Sequence, residues 1–167
     1  MDEKLYIKAI NYLTRRPHSE KEVRDNLFKP YFRLKLPEEQ KKEIQEKIRI
    51  VLDNLKRQRY VNDVEFAQWW IEQRSRFKPK GWRVIEMELK QKGIEKEIIQ
   101  EARKTDITTS LPGEKEQALQ IIAKRMKKYE GLTRNELYQK LGGFLARRGF
   151  DLDIIRSCID EVIKKSV

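Results

Sequence analysis

Val84-Ile-Glu-Met-Glu-Leu-Lys-Gln-Lys-Gly-Ile-Glu-Lys-Glu-Ile-Ile reads as the end of one helix, a glycine turn and the start of another. With Gly93 set on Gly149, 56 residues later, Leu141-Gly-Gly-Phe-Leu-Ala-Arg-Arg-Gly-Phe-Asp-Leu-Asp-Ile-Ile repeats the plan. In both, a leucine (Leu89, Leu145) is followed by a basic residue (Lys92, Arg148), a glycine (Gly93, Gly149), an apolar residue (Ile94, Phe150) and an acid, and then an Ile-Ile pair. Glycine at that point can take the left-handed conformation that ends a helix, and the apolar residue after it can fold back on the last turn. Self-similarity at this spacing signals a repeated helical unit.

Apolar residues recur three and four apart through most of the chain, the spacing that lines one face of a helix. The stripes are Tyr6, Ile10, Leu13; Val23, Leu27; Ile44, Ile48, Val51, Leu52, Leu55; Phe66, Trp70; Ile85, Leu89; Ile98, Ala102; Leu119, Ile122, Met126; Leu137, Leu141, Leu145; and Ile155, Cys158, Ile159, Val162. Nine helices are predicted, falling into threes. Ser19 with Glu22, Asn62 with Glu65 and Thr133 with Glu136 have the spacing of a cap that satisfies orphan amides of the first turn. Pro37 suits the start of a long helix over 38–58.

The first unit has Leu27-Phe-Lys-Pro-Tyr31 where the others have glycine, and further residues through Leu36 before its third helix. Proline does not adopt the left-handed angle, so this turn is expected to be longer and differently shaped. Thr105 to Gly113 is rich in Thr, Ser, Pro and Gly and reads as a linker. The expected fold is all-α: three tandem three-helix, helix-turn-helix-like repeats over 1–62, 63–110 and 111–167, in an elongated array.

Thirty-eight Lys and Arg oppose 27 Asp and Glu, a net charge of +11 with a pI near 9.7, which favours phosphate or acidic surfaces as partners. The charge is spread, at +6, +1 and +4 over 1–62, 63–113 and 114–167. One cysteine precludes an internal disulfide, and no apolar run approaches the roughly 20 residues that span a bilayer. Residues 1–8 hold no continuous apolar signal segment, so a cytoplasmic protein is expected.

Catalytic, metal and cofactor residues are not found. His18, just before the cap Ser19, is expected to be an exposed turn residue, and Cys158 a core residue on an apolar face. The carboxylates lie in mixed-charge helical faces, and no glycine-rich phosphate loop is present.

The richest segment is Gln73-Arg-Ser-Arg-Phe-Lys-Pro-Lys-Gly-Trp-Arg83, expected between two helices of the middle unit, with Arg74, Arg76, Lys78, Lys80 and Arg83 and no acid. Clustered cations beside an aromatic can engage phosphates and stack on a base; the competing reading packs Trp82 inward and leaves the cations solvated. Arg147 and Arg148, at the third unit's turn, are a second candidate. Lys124, Arg125, Lys127 and Lys128 read as a solvated helix face. Of the adjacent Trp69 and Trp70, core packing explains both more readily than an interface.

Three segments together resemble the RecX family of bacterial regulators of the recombinase RecA. These are Tyr12-Leu-Thr-Arg-Arg-Pro-His-Ser-Glu-Lys-Glu-Val-Arg24, Tyr60-Val-Asn-Asp-Val-Glu-Phe-Ala67, and Gly81 to Glu86 with Leu89 and Lys92-Gly-Ile94. Pro30, the extra stretch Tyr31 to Leu36, and Asn62 in place of an acid depart from the family pattern. The resemblance implies a curved array lying in the groove of the RecA filament on single-stranded DNA, a monomer regulating recombination, repair and the SOS response by binding. The rival reading is a helix-turn-helix regulator of duplex DNA.

Overall fold

The computed structural model describes residues 2–105, 110–129 and 131–165. All regular structure among them is helical. In chain order the helices are α1 (Glu3–Leu13), α2 (Glu20–Phe28), α3 (Glu38–Arg57), α4 (Asp63–Arg76), α5 (Trp82–Gln91), α6 (Lys96–Arg103) and α7 (Glu114–Ala123). A 3-10 turn, Met126–Tyr129, precedes α8 (Arg134–Leu137), which runs without a break through a π-helical turn, Tyr138–Gly142, into α9 (Gly143–Arg147); α10 (Leu152–Lys165) follows. With α8, the π turn and α9 taken as one rod, the nine expected helices are present among the described residues. Of the expected linker, residues 106–109 lie outside those described.

The caps form as their spacing predicts. Ser19 and Thr133 each close a reciprocal capping box with Glu22 and Glu136, and the Asn62 side-chain oxygen accepts from the amides of Val64 and Glu65. Pro37 stands at the cap of α3, its ring adding no side-chain hydrogen bond. Gly93 and Gly149 both turn through positive φ, +81° and +85°, as the repeated turn requires.

By packing, the chain divides into two compact units: Met1–Trp69 with Lys90–Ala102, and Trp70–Leu89 with Arg103–Val167. The first is built on Leu5 and Ala9 of α1, Val23 and Leu27 of α2, and Ile48, Val51, Leu52 and Leu55 of α3. The second gathers Ile121 and Ile122 of α7, Leu137, Leu141 and Leu145 of the long rod, Phe150, and Ile155, Cys158 and Ile159 of α10. Fully burying one such side chain stabilises by roughly 1.5–3 kcal/mol, so each thin core suffices only because nearly every stripe residue contributes.

His18 departs from expectation. It is 4% exposed, its ring stacked on Tyr12 with centroids 3.8 Å apart and its Nδ1 3.2 Å from Glu22. Pro17 and the cap at Ser19 turn the chain inward there, and Tyr12 supplies the flat partner. Burial, with Arg16 next and Lys92 also adjacent, holds its pKa below the ordinary imidazole value.

Candidate binding surface

The segment 73–83 is mostly helical: α4 continues to Arg76 and α5 begins at Trp82, leaving Phe77 to Gly81 as the loop. Its cations are not equivalent. Glu88, one turn before the end of α5, accepts from Arg74 Nε at 2.7 Å, from Trp70 Nε1 at 3.0 Å and from the Lys80 ammonium. Burial alone would raise the Glu88 pKa, but the donors Lys80, Arg74 and Trp70 outweigh it and hold the carboxylate below its usual range. The Arg74 guanidinium also lies 4.3 Å from the Trp70 ring, and Arg76 pairs with Glu72 at 3.1 Å. Lys78 and Arg83 remain exposed and form no ion pair among the described residues. The acids that the segment lacks in sequence are therefore supplied by Glu88 of α5, for Arg74 and Lys80, and Glu72 of α4, for Arg76, which leaves two of the five cations without an ion pair among the described residues.

Arg148 belongs to the same neighbourhood. Its guanidinium donates to the Pro79 carbonyl at 3.1 Å, its own carbonyl accepts from Gly81 N at 2.8 Å, and its charge sits 4.7 Å from the Phe144 ring. The backbones approach so closely that a methyl group on Gly81 would overlap the Gly149 carbonyl, and one on Gly149 would fall 2.5 Å from Val84. The turn of the third repeat thus docks on the start of α5. Arg147 is exposed. Arg125, read as part of a solvated face, instead covers Phe144 at 3.8 Å.

The first unit repeats this contact with different atoms. Ser19 Oγ donates to the Lys92 carbonyl at 2.7 Å, the Lys92 ammonium reaches Glu22, and a methyl group on Gly93 would meet Lys21 Cβ at 2.7 Å. Glu22 is bridged as well by both guanidinium nitrogens of Arg16, at 3.1 and 3.0 Å. Against the opposing effect of burial, Arg16 and Lys92 lower its pKa to about 2. The basic residue before each turn glycine, Lys92 or Arg148, thereby ties the turn to the start of a preceding helix. Trp69 and Trp70 are both half-buried; Trp69 packs on Phe66, with ring centroids 6.0 Å apart, and lies 5.7 Å from the Arg16 guanidinium. Among the described residues no group of three or more His, Cys, Asp or Glu is placed to hold a metal ion, and no helix is long and apolar enough to cross a membrane.

These features define a helical-repeat protein assembled from helix-turn-helix-like units through a recurring turn-to-helix contact. Family profiles described as the first, second and third three-helix domains of RecX match residues 6–29, 62–102 and 113–159. The chain belongs to the RecX family. The "Regulatory protein RecX" of Bacillus cytotoxicus (strain DSM 22905 / CIP 110041 / 391-98 / NVH 391-98) is 32% identical over 163 residues, covering 96% of this chain and 54% of that protein. That of Bacillus thuringiensis (strain Al Hakam) matches to the same extent. The chain spans about half the length of these curated relatives. The crystal structure of RecX from Lactobacillus salivarius superposes with a TM-score of 0.71 at 26% identity, over 95% of this chain and 94% of that one. A second RecX crystal structure, at 22% identity over 94% of this chain and 72% of that one, shares the fold with the same TM-score.

Proposed function

We propose that this protein binds the RecA filament assembled on single-stranded DNA and modulates recombinase, ATPase and co-protease activity by occupying it, with no turnover of its own. The three repeats over 1–62, 63–110 and 111–167, a monomeric state and residence in the cytoplasm belong to the same proposal. The observation that carries it is the pair of exposed cations, Lys78 on the loop and Arg83 in the first turn of α5, on either side of Pro79 and Lys80, which Arg148 and Glu88 anchor. An anchored loop presents charge without the ordering cost of a mobile one. Arg147 extends that surface; Arg74, Arg76, Lys80 and Arg148 act by holding its shape.

The test is RecA assembly on single-stranded DNA, followed by ATP hydrolysis and light scattering, with and without the protein. A change in filament growth or turnover that depends on the protein is expected, and is expected to persist when His18 and Cys158 are replaced in a folded double variant. No change at any ratio, together with sequence-specific binding to duplex DNA, would instead establish a helix-turn-helix regulator.

A further inference from the structure

The turn between α2 and α3 is where the first three-helix repeat differs from the other two. It is longer, and it is well tied: Tyr31 N donates to Phe28 O at 2.9 Å, Leu34 N to Tyr31 O at 3.1 Å and Leu36 N to Leu34 O at 2.8 Å. Tyr31 turns inward beside Phe28 and joins the core. Phe32 does the opposite. It is 80% exposed, with Leu34 at 51%.

Phe32 lines a groove of about 780 Å3 together with Arg24, Asp25, Phe28, Lys29, Arg33 and Gln45. Asp25 is engaged by Lys21 at 3.2 Å. Arg24, Lys29, Arg33 and the neighbouring Lys35 have no ion pair among the described residues, and no acid occurs between Asp25 and Glu38. Lys8, whose ammonium donates to the Asn26 carbonyl at 2.9 Å, is held below the usual lysine pKa by burial and then by the charge of Lys29. The one carboxylate lining the groove, Asp25, is shared with Lys21 and faces three cations, Arg24, Lys29 and Arg33, an excess that an arriving anion relieves.

We propose that this groove is a direct binding site for single-stranded nucleic acid, with an unpaired base stacked on Phe32 and flanking phosphates held by Lys29 and Arg33. The chemistry discriminates among polyanions. An acidic peptide would be satisfied by the cations and has no use for a bare aromatic face; a duplex hides the faces of its bases. A bilayer would accept Phe32 and Leu34 as a protruding tip, whereas this aromatic lines a recess together with cations and Gln45, whose amide can meet a base edge. The site needs only this chain and a strand, and is independent of the RecA reading.

The experiment titrates the full chain into a fluorescein-labelled oligo(dT) of about 20 nucleotides, without RecA, at several salt concentrations. Phe32→Ala is expected to weaken binding about tenfold with an unchanged salt slope, the effect of losing one base stack. Phe32→Trp should restore affinity. Lys29→Ala and Arg33→Ala should each lower the salt slope by about one. All three positions are on the surface, so melting temperatures should be unaltered. The proposal is overturned by Phe32→Ala binding like the parent, by an equal loss on a duplex of the same length, or by a parent chain that ignores oligo(dT). Phe32-dependent binding to polyglutamate or to phosphatidylserine vesicles in place of the oligonucleotide would overturn it in favour of an acidic-peptide or membrane site. None of these outcomes bears on filament modulation, which fails or stands on the RecA assay.

Discussion

Glu22 and His18 show how much one buried carboxylate can organise. The carboxylate bonds Arg16, Lys92, His18 and the cap amide of Ser19, so α2 begins where three cationic or imidazole donors converge. Both groups are shifted downward, and acid acts against both. His18 folds neutral, so its contribution is complete above its ordinary pKa of 6.5 and is lost as pH falls through that value towards the folded one. Glu22 folds ionised, so its contribution is complete above 4.5 and is lost as pH falls from there to about 2. Thermal melts across this range should show stability declining in two stages, the lower one worth up to about 3 kcal/mol. Glu22→Gln should remove the lower stage; a variant that keeps it would show that another acid is responsible. Glycine matters as sharply at the second contact. Gly149→Ala meets both positive φ and Val84, and should cost at least about 2 kcal/mol by urea unfolding. Gly113→Ala, with open space around it but at the N-cap of α7, should cost less, no more than about 1 kcal/mol.

At the scale of elements, the rod from α8 through α9 has a feature that the leucine stripe conceals. Leu137, Leu141 and Leu145 are four apart, and on a straight α-helix such a set drifts around the axis. The π turn at Tyr138–Gly142 winds fewer degrees per residue, and all three leucines stay buried. A π turn amounts to one residue inserted into an α-helix. Deleting Gly143 should therefore restore regular winding and lower the urea midpoint less than deleting Arg156 from α10, which would rotate Ile159 out of the core. Equal losses would show that the π turn carries no slack. The capping boxes at Ser19 and Thr133, the glycine turns and the long α3 were all legible in sequence, because each depends on groups within a few residues of one another. The π turn was not, since a spacing of four fits either winding and the choice is made by α10 packing against the rod.

On the whole molecule, a net charge of +11 says that polyanions are attracted and not where they bind. If Lys78 and Arg83 meet filament phosphates, replacing both by Ala should reduce the salt slope of filament binding by about two, while Arg76→Ala should leave it within experimental error. An unchanged slope in the double variant, with unaltered helicity, would move the contact to Arg147. The sequence by itself determined the helices, their caps, the repeated turn and the membership of a family, because periodicity and short-range hydrogen bonding act over one or two helical turns. Only the tertiary structure decided which cations are free. Glu88 takes Lys80 from 8 residues away and Arg74 from 14, Arg148 reaches Pro79 across 69, and Phe32 stands exposed while Tyr31 beside it packs half-buried against the core. Such pairings follow from where helices pack, and a low-dielectric contact between groups far apart in the chain leaves no spacing in the sequence from which it could be read.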